Sequence, residues 1–376
     1  MRFSLMILLF LSACTLFPPR EPVATYTPVP FSALSGWAQD QRLEAKPALA
    51  ASCARLEAIP ADRSLGVEGR MGTAGDWLDF CAALKRVTTE EDLRTLMERD
   101  LQPYAVSASG DTEGLFTGYY EADLRGSLTR HGPYQHPLYA RPDDLVMVDL
   151  GEFRTELKGQ RIAGSVVNGQ LKPYADRAAI VSNGLTQAKP LVWLDDANDA
   201  FFVQIQGSGV VTLDSGEELR LGYAAQNGHP YVPIGKTLIA KGELVPGSIS
   251  MQSIRAWLES NPEQAEAVRS SNPSYVFFTA QPDGSGPMGA ANVPLTALRS
   301  LAVDNRFIGY HVPVWLETQD PRLNRLMVAQ DTGGAIRGIV RGDVFWGRGP
   351  QAEQMAGTMR SKGRYFVLLP KALPAP

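Results

Sequence analysis

The chain has 376 residues, of which 44% are hydrophobic and 20% charged, and its formal net charge is -4 at pH 7. These values are typical of a globular protein long enough for two domains. A charge this close to neutrality, with no basic tract, argues against nucleic acid as a partner. Beyond the N-terminal segment, no stretch of the sequence is apolar enough to predict a membrane-spanning helix.

The first 14 residues are typical of a secretory signal peptide. Arg2 supplies the positive start, residues 5–11 form an apolar run too short for a stable transmembrane helix, and small residues precede Cys14. The string LSAC at 11–14 also resembles the bacterial lipobox, in which the cysteine becomes the acylated first residue of the mature protein. A plain signal peptide with an incidental cysteine is the alternative. Several acyl chains on Cys14 would make a stable membrane anchor.

Residues 15–33 are rich in proline, which predicts an extended tether after the anchor. Residues 34–101 are predicted to be mainly helical. The apolar positions that recur there at helical spacing are Trp77, Phe80, Cys81 and Leu84. Thr88 and Glu91 have the spacing of a capping box, which predicts a helix start at Thr88.

Besides Cys14, the chain has two cysteines, Cys53 and Cys81, which export would place in an oxidising compartment. An oxidising compartment favours a disulfide between them, which is the interpretation we prefer. Two buried thiols are the alternative.

From residue 115 onward, aromatic and β-branched runs alternate with glycine and proline, which predicts a β-rich fold. The predicted strands are residues 201–211, 275–278 and most of 312–369. The predicted helices are residues 251–258, a helix opening at Pro262, and one running from Pro350 to about Gly363. The fold class is therefore mainly β with peripheral helices.

The densest cluster of chemically useful residues lies between 325 and 349. Asp331 ends a predicted buried strand, and Asp343 lies in the next strand beside Phe345 and Trp346. Apolar surroundings favour the neutral form of a carboxyl group and raise its pKa. A carboxylic acid that stays protonated near neutral pH can donate its proton to a glycosidic oxygen. The alternative is that both aspartates cap turns.

Two further blocks suit a glycan groove because they combine aromatic faces, hydroxyls and exposed backbone N–H groups. The first, GLFTGYYEA at 114–122, offers Thr117, Gly118, Tyr119 and Tyr120. The second, VQIQGSG at 203–209, offers Gln206, Gly207, Ser208 and Gly209. Lys236 adds a cation downstream. An ordinary strand with core tyrosines and a plain surface lysine are the alternatives. The four histidines are scattered without metal-ligand spacing, so we expect neither a metal nor a cofactor.

The ordered run of motifs is highly specific. It comprises the lipobox, GLFTGYYEA, VQIQGSG, NGHPYVPIGKTLI, NPSYVFF, VPLTALRSLAVD and the stretch from AQDTGGAIRG to GRYFVL. From about residue 115 to the C-terminus, these strings resemble the membrane-bound lytic murein transglycosylase A family. The resemblance implies a double-psi β-barrel formed by residues 34–122 plus 276–376, where 34–122 includes the helical lead-in. It also implies an inserted β-rich domain at 123–275, with the glycan strand between the two domains.

The same resemblance implies the residue roles. Asp343 would be the catalytic acid, supported by Asp331 in the Asp-x-Gly-Gly-Ala motif. The expected substrate-binding residues are Thr117, Gly118, Tyr119, Tyr120, Gln206, Gly207, Ser208, Gly209, Lys236 and Phe345. Gly342 stands where related barrels carry an aromatic residue, so the packing around the acid is expected to differ.

The family reaction cleaves the β-1,4 bond between N-acetylmuramic acid and N-acetylglucosamine without water and leaves a 1,6-anhydro end. Because the nucleophile is the tethered C6 hydroxyl, one aspartate can act first as acid and then as base. A hydrolase on the same barrel, which needs two carboxylates, and a non-catalytic wall-binding lipoprotein are the alternatives.

The expected partners are peptidoglycan glycan strands and, through the lipid, the periplasmic face of the bacterial outer membrane. Thr15 favours that membrane, because by family resemblance an aspartate in its place would signal inner-membrane retention. We expect a monomer, and a wall-synthesis complex stays open as a partner.

Overall fold

The computed structural model describes residues 22–66, 69–157, 160–281 and 286–376. The predicted signal peptide, Cys14 and the first part of the proline-rich tether lie outside these residues. Among the helices it describes, none has the length and hydropathy needed to cross a membrane.

Strands and helices alternate along the described chain. The strands are β1 (Ala24–Pro28), β2 (Leu101–Ala108), β3 (Gly114–Ser127), β4 (His136–Tyr139), β5 (Val146–Asp149), β6 (Arg161–Val167), β7 (Gln170–Pro173), β8 (Pro190–Leu194), β9 (Ser208–Leu213), β10 (Glu218–Gln226), β11 (Val276–Gln281), β12 (Ser300–Val303), β13 (Pro313–Thr318), β14 (Arg325–Asp331), β15 (Arg341–Arg348) and β16 (Arg360–Pro370). The helices are α1 (Lys46–Glu57), α2 (Leu78–Leu84), α3 (Glu90–Asp100), α4 (Arg177–Asn183), α5 (Ala197–Gln206), α6 (Ile234–Ala240), α7 (Met251–Ser260), α8 (Pro262–Arg269) and α9 (Pro350–Thr358).

The protein has a two-domain arrangement, and the long strand β3 passes through both domains. The first half of β3 pairs with β15 in parallel and with β16 in antiparallel fashion. Its second half pairs with β9 and β8. One domain therefore contains β1, β2, β12–β16 and α1–α3, and the other contains β4–β11 and α4–α8. In the second domain, β5–β7 form a separate antiparallel sheet.

The core of the first domain is built from strands that are apolar on both faces. Strand β14 is buried from Leu326 to Gln330, as predicted, because it lies between β12 and β13 in the sheet and helix α1 packs against it. A near-continuous apolar run is what a strand buried on both faces requires.

The region before strand β2 contains helices α1, α2 and α3 and is therefore helical, as predicted. Cys53 on α1 and Cys81 on α2 form a disulfide, which confirms the predicted pairing. Helix α3 carries a capping box, but its cap is Thr89 with Asp92, one residue later than predicted from Thr88. Asp92 accepts from the Thr89 backbone N–H at 3.0 Å. Glu91 instead pairs with an exposed arginine on the helix surface.

The prediction of one strand over residues 201–211 is confirmed for 208–211, which lie in β9, and is wrong for 201–206, which are helical. Asp196 accepts hydrogen bonds from the backbone N–H groups of Asn198 and Asp199, which opens helix α5. Gly207, with φ +83°, ends the helix, and only then does β9 begin. The apolar run at 201–203 is buried within the second domain, and short buried runs do not distinguish strand from helix by periodicity.

Two other boundaries differ from the prediction. Residues 24–28 of the proposed tether form β1, which adds to the edge of the sheet by pairing with β2. Helix α9 ends at Thr358 rather than near Gly363, because residues 360–363 already pair with β3. Helix α7, the helix opening at Pro262 and strand β11 are confirmed.

Candidate active site

The two predicted aspartates lie in one row across the sheet of the first domain. Asp343 on β15 stands opposite Thr117 on β3 and, on its other side, opposite Ala302 on β12. Ala302 in turn stands opposite Asp331 on β14. With neighbouring strands about 4.8 Å apart, the Cα atoms of the two aspartates are about 10 Å apart.

Strand alternation separates this row from the core. Phe116, Leu301 and Val344 point to the opposite face and are fully buried among the apolar side chains of the first domain. On the site face, the rings of Tyr119 and Phe345 pack with their centroids 5.2 Å apart. An apolar floor therefore lies beside the carboxyl groups.

Asp343 is half-buried and uses only one of its carboxyl oxygens within the described structure. The Thr117 hydroxyl donates to Oδ1 at 2.5 Å, and Arg341 Nη2 donates to the Thr117 oxygen at 2.8 Å. No described residue bonds to Oδ2. Burial raises the pKa of Asp343 to about 6, and the charge of Asp331 adds to that effect, whereas Arg341 and Thr117 oppose it.

Asp331 differs because both of its oxygens are occupied. The backbone N–H groups of Ala290 and Thr332 donate to Oδ1, each at 2.9 Å. The Tyr119 hydroxyl donates to Oδ2 at 2.9 Å. Burial raises the pKa of Asp331, and these three donors oppose the rise. The same surroundings raise the pKa of Tyr119 well above its usual value, so its hydroxyl remains a donor.

Two glycines permit close packing around the row. A Cβ at Gly342 would lie 2.9 Å from the ring of Phe116, so β3 supplies the aromatic side chain that this position lacks. A Cβ at Gly118 would lie 2.5 Å from the indole nitrogen of Trp346. Gly118 thus brings Trp346 against β3.

The block at 206–209 fastens the second domain to β3. The Gln206 side-chain carbonyl accepts from the Tyr120 backbone N–H at 3.1 Å, and Gly209 pairs with Ala122. The Tyr120 hydroxyl donates to Glu353 on α9 at 3.2 Å. Ser208 is 6% exposed at the start of β9, directly after Gly207.

Lys236 is the predicted residue that the structure does not bring to the row by any contact. It is exposed on α6 and makes no side-chain hydrogen bond or ion pair with any residue that the structure describes.

Two residues near the row were missed at the sequence level. Arg341 precedes Asp343 by two positions in a strand, a spacing that places both on one face. Tyr231 comes from the second domain: a Cβ at Gly334 would lie 3.7 Å from its Cβ. Burial raises the pKa of Tyr231 to about 12, and the charge of Asp343 contributes. Both residues belong to motifs noted in the sequence, but nothing in the motifs shows that Tyr231 crosses to the other domain.

The fold and the site define a class: a two-domain β protein with one available carboxyl group of raised pKa close to the junction of its domains. Residues 115–279 match the family model described as the MltA specific insert domain, and residues 299–369 match the 3D domain. The chain is 34% identical over 265 residues to membrane-bound lytic murein transglycosylase A of Escherichia coli strain K12. That match covers 67% of this chain and 65% of the relative, slightly under two thirds of the relative's length.

Solved structures agree with the sequence match. A membrane-bound lytic murein transglycosylase from Agrobacterium tumefaciens superposes with a TM-score of 0.82 at 33% identity, covering 92% of this chain and 98% of that one. E. coli MltA with bound chitohexaose superposes with a TM-score of 0.65 at 25% identity, covering 93% of each chain. The chain belongs to the membrane-bound lytic murein transglycosylase A family.

Proposed function

We propose that the protein is a lytic transglycosylase of peptidoglycan. It cleaves the β-1,4 bond between N-acetylmuramic acid and N-acetylglucosamine without water and leaves a 1,6-anhydromuramic end. The family assignment supports this activity, and the binding of chitohexaose by a structural relative supports a glycan as substrate. The observation that carries the proposal is the environment of Asp343. Its Oδ2 has no hydrogen-bond partner among the described residues, and its raised pKa fits a proton donor.

Asp343 serves in both halves of the proposed reaction. With a pKa of about 6, roughly a tenth of the molecules carry a protonated Asp343 at pH 7. The Oδ2 proton passes to the glycosidic oxygen as the bond from C1 to that oxygen breaks. The C6 hydroxyl of the muramic ring then bonds to C1, and its proton returns to the carboxylate. No water is consumed, and the enzyme regains its starting protonation state.

Three other carboxylates, Asp331, Glu317 and Asp304, fit supporting roles better than that of a second catalytic group. Both oxygens of Asp331 accept hydrogen bonds, so we assign this residue to positioning the side chain of Tyr119 and the backbone at Ala290. Glu317 accepts from Arg364 Nε at 2.8 Å, and Asp304 accepts from Arg306 Nη2 at 2.6 Å. A hydrolase needs a second carboxylate free to act as nucleophile or base, and these contacts weigh against one here.

We assign the sheet of the first domain to a double-psi β-barrel, with the predicted insert at 123–275 extended by strand β11, which pairs with β10. A closed circuit of strand pairings supports this assignment. It runs β16, β13, β14, β12, β15, β3 and back to β16. Closure removes exposed strand edges and sets the row of Thr117, Asp343 and Asp331 on one wall.

The remaining assignments concern substrate and location. The residues proposed to contact the glycan are Thr117, Gly118, Tyr119, Tyr120, Gln206, Gly207, Ser208, Gly209, Lys236 and Phe345. Cys14 is proposed to carry the lipid that holds the protein at the outer membrane, facing the periplasm. The curated relatives are named membrane-bound, which supports a place in the cell envelope.

Mass spectrometry of the soluble products from purified sacculi tests the activity. We expect muropeptides with anhydro ends, lighter by one water than products with reducing ends. Reducing ends alone would show a hydrolase. Binding to sacculi without any soluble product would show a wall-binding lipoprotein.

A further inference from the structure

The second domain contains a cavity of about 140 Å³ that is separate from the row of aspartates. It lies among β4, α4, α5 and α8, close to the start of β11. The lining residues that matter here are His136, Arg177, Phe201, Gln204, Arg269 and Tyr275.

Arg177 is a buried cation in the wall of this cavity, and it forms no ion pair with any residue that the structure describes. It is 3% exposed, and no carboxylate of the described residues lies within ion-pair distance of it. Its Nε donates to the Asn272 carbonyl at 3.0 Å, and Nη2 donates to Gln204 and to the Ser274 carbonyl. All of these acceptors are neutral, and Nη1 makes no hydrogen bond to any described residue. A buried cation is costly unless an anion compensates it.

The other charges around the cavity do not fill that role. Glu266 is held by Arg269 at 2.9 Å and also accepts from Ser270. Burial and the nearby Arg269 lower the pKa of His136 below its usual value, so this imidazole is neutral at pH 7. Burial lowers the pKa of Arg177 only to about 10, which leaves it protonated at neutral pH. The lining therefore carries a net positive charge.

The walls restrict which anion would fit. The rings of Phe201 and Tyr275 pack against Arg177, with centroids 4.8 and 5.2 Å from its guanidinium carbon. Ile180 and Ala200 add apolar surface. Nε and Nη2 are already used by protein acceptors, so Nη1 is the nitrogen left to donate a charge-assisted hydrogen bond to a carboxylate oxygen. Apolar walls suit an aliphatic group more than a strongly hydrated phosphate.

Helix α5 links the cavity to the proposed active site. Gln204 accepts from Arg177 on one side of the helix, and Gln206, two residues on, accepts from the backbone of Tyr120. Tyr120 follows Tyr119, the donor to Asp331. The cavity thus lies one helix away from β3. A five-residue peptide can reach about 17 Å when extended, far enough to pass one helix.

We propose that this cavity, with Arg177 at its centre, is a binding site for a carboxylate on an aliphatic body. Its ligand is a carboxylate of the short peptide that hangs from muramic acid, or a free small carboxylic acid of the same chemistry. The peptide assignment rests on the function proposed above, whereas the carboxylate site does not. The site would let the insert domain hold peptide-bearing glycan while the row at Asp343 holds the sugar.

Isothermal titration calorimetry of the full chain tests this with three probes. They are a disaccharide tetrapeptide muropeptide, the same muropeptide with every peptide carboxylate amidated, and N-acetyl-D-alanine. We expect the free muropeptide to bind at least about tenfold more tightly than the amidated one. Saturable binding of N-acetyl-D-alanine with similar affinity would identify a free acid as the ligand, and binding of the muropeptide alone would identify the peptide.

Matched variants keep the test independent of folding. Ala197→Leu fills the cavity from the first turn of α5 and leaves Arg177 intact, and it should weaken binding of the acid probe about tenfold or more. Ala178→Leu places the same side chain on the exposed face of α4 and should bind like the wild type. Arg177→Gln should abolish the preference for acid over amide.

Equal affinity for the free and amidated muropeptides, or unchanged binding in Ala197→Leu, would overturn the proposal. So would the absence of heat with every probe. Cleavage of peptide-free glycan, measured in the same variants, should be unchanged. Because binding and cleavage are read separately, failure of the carboxylate site cannot be mistaken for failure of the proposed transglycosylase activity.

Discussion

Replacing Thr117 by valine should move the pH dependence of the reaction upward. The Thr117 hydroxyl donates to Oδ1 of Asp343 and so favours the charged carboxylate. Burial raises the pKa of Asp343 and this hydrogen bond lowers it. Removing the hydroxyl must therefore raise the pKa above its value of about 6. A hydrogen bond to a charged group is worth about 1.5–3 kcal/mol, or about one to two pKa units. We expect about one unit, because the charge of Arg341 remains.

The assay is kcat/KM against pH on peptide-free murein glycan, which reports the pKa of the free enzyme. The reaction requires protonated Asp343, so wild-type activity should fall above pH 6. In Thr117→Val this fall should begin about one unit higher. Thr117→Ser keeps the hydroxyl and is the matched control, with an unshifted profile. A fall at the same pH in Thr117→Val, or at a lower pH, would refute the proposed role of Asp343 as acid.

Two further predictions concern stability. The disulfide closes a loop across 28 residues, so replacing Cys53 and Cys81 by serine should lower the free energy of unfolding by about 3–4 kcal/mol in urea titrations. No loss in the double variant would contradict a stabilising disulfide. His311 is 7% exposed, and burial lowers its pKa to about 4, so the unfolded state binds its proton more readily. The wild type should lose roughly 2 kcal/mol through His311 between pH 7 and pH 5, because this contribution declines as pH falls below the ordinary histidine value. His311→Asn, which tolerates φ +73°, should lose less over that range, and an equal loss would contradict this reasoning.

The sequence predicts those parts of the fold that local chemistry determines. The apolar run of β14 and the proline start of α8 are local signals, and each appears in the structure. Helix α5 was missed because burial on several sides removes the periodicity that separates helix from strand. Strand β1 was missed because it forms by pairing with β2. Even the paired residues nearest in sequence are about 75 residues apart along the chain.

The candidate site was likewise predictable from the sequence only in part. Asp331 and Asp343 are visible in the sequence as acids beside apolar and aromatic residues. The difference between their hydrogen-bond environments is not visible in the sequence, since it depends on donors from distant parts of the chain. Ala290 and Tyr119 donate hydrogen bonds to Asp331, whereas Thr117 is the one donor to Asp343 among the residues that the structure describes. The lack of an ion pair at Arg177 among the described residues is likewise a property of the folded domain, because it depends on where the acids of other elements lie.

The central claim is that the carboxyl group of Asp343 supplies and then recovers the proton. Single-turnover release of anhydromuropeptides from purified sacculi, compared between wild type and Asp343→Asn, tests it most directly. The asparagine side chain keeps the size of the aspartate, so sacculus binding and the thermal unfolding midpoint should stay close to the wild type. The rate should fall about 10²- to 10⁴-fold, the usual contribution of general acid–base catalysis. A folded Asp343→Asn variant that releases anhydro products at most of the wild-type rate would contradict the assignment.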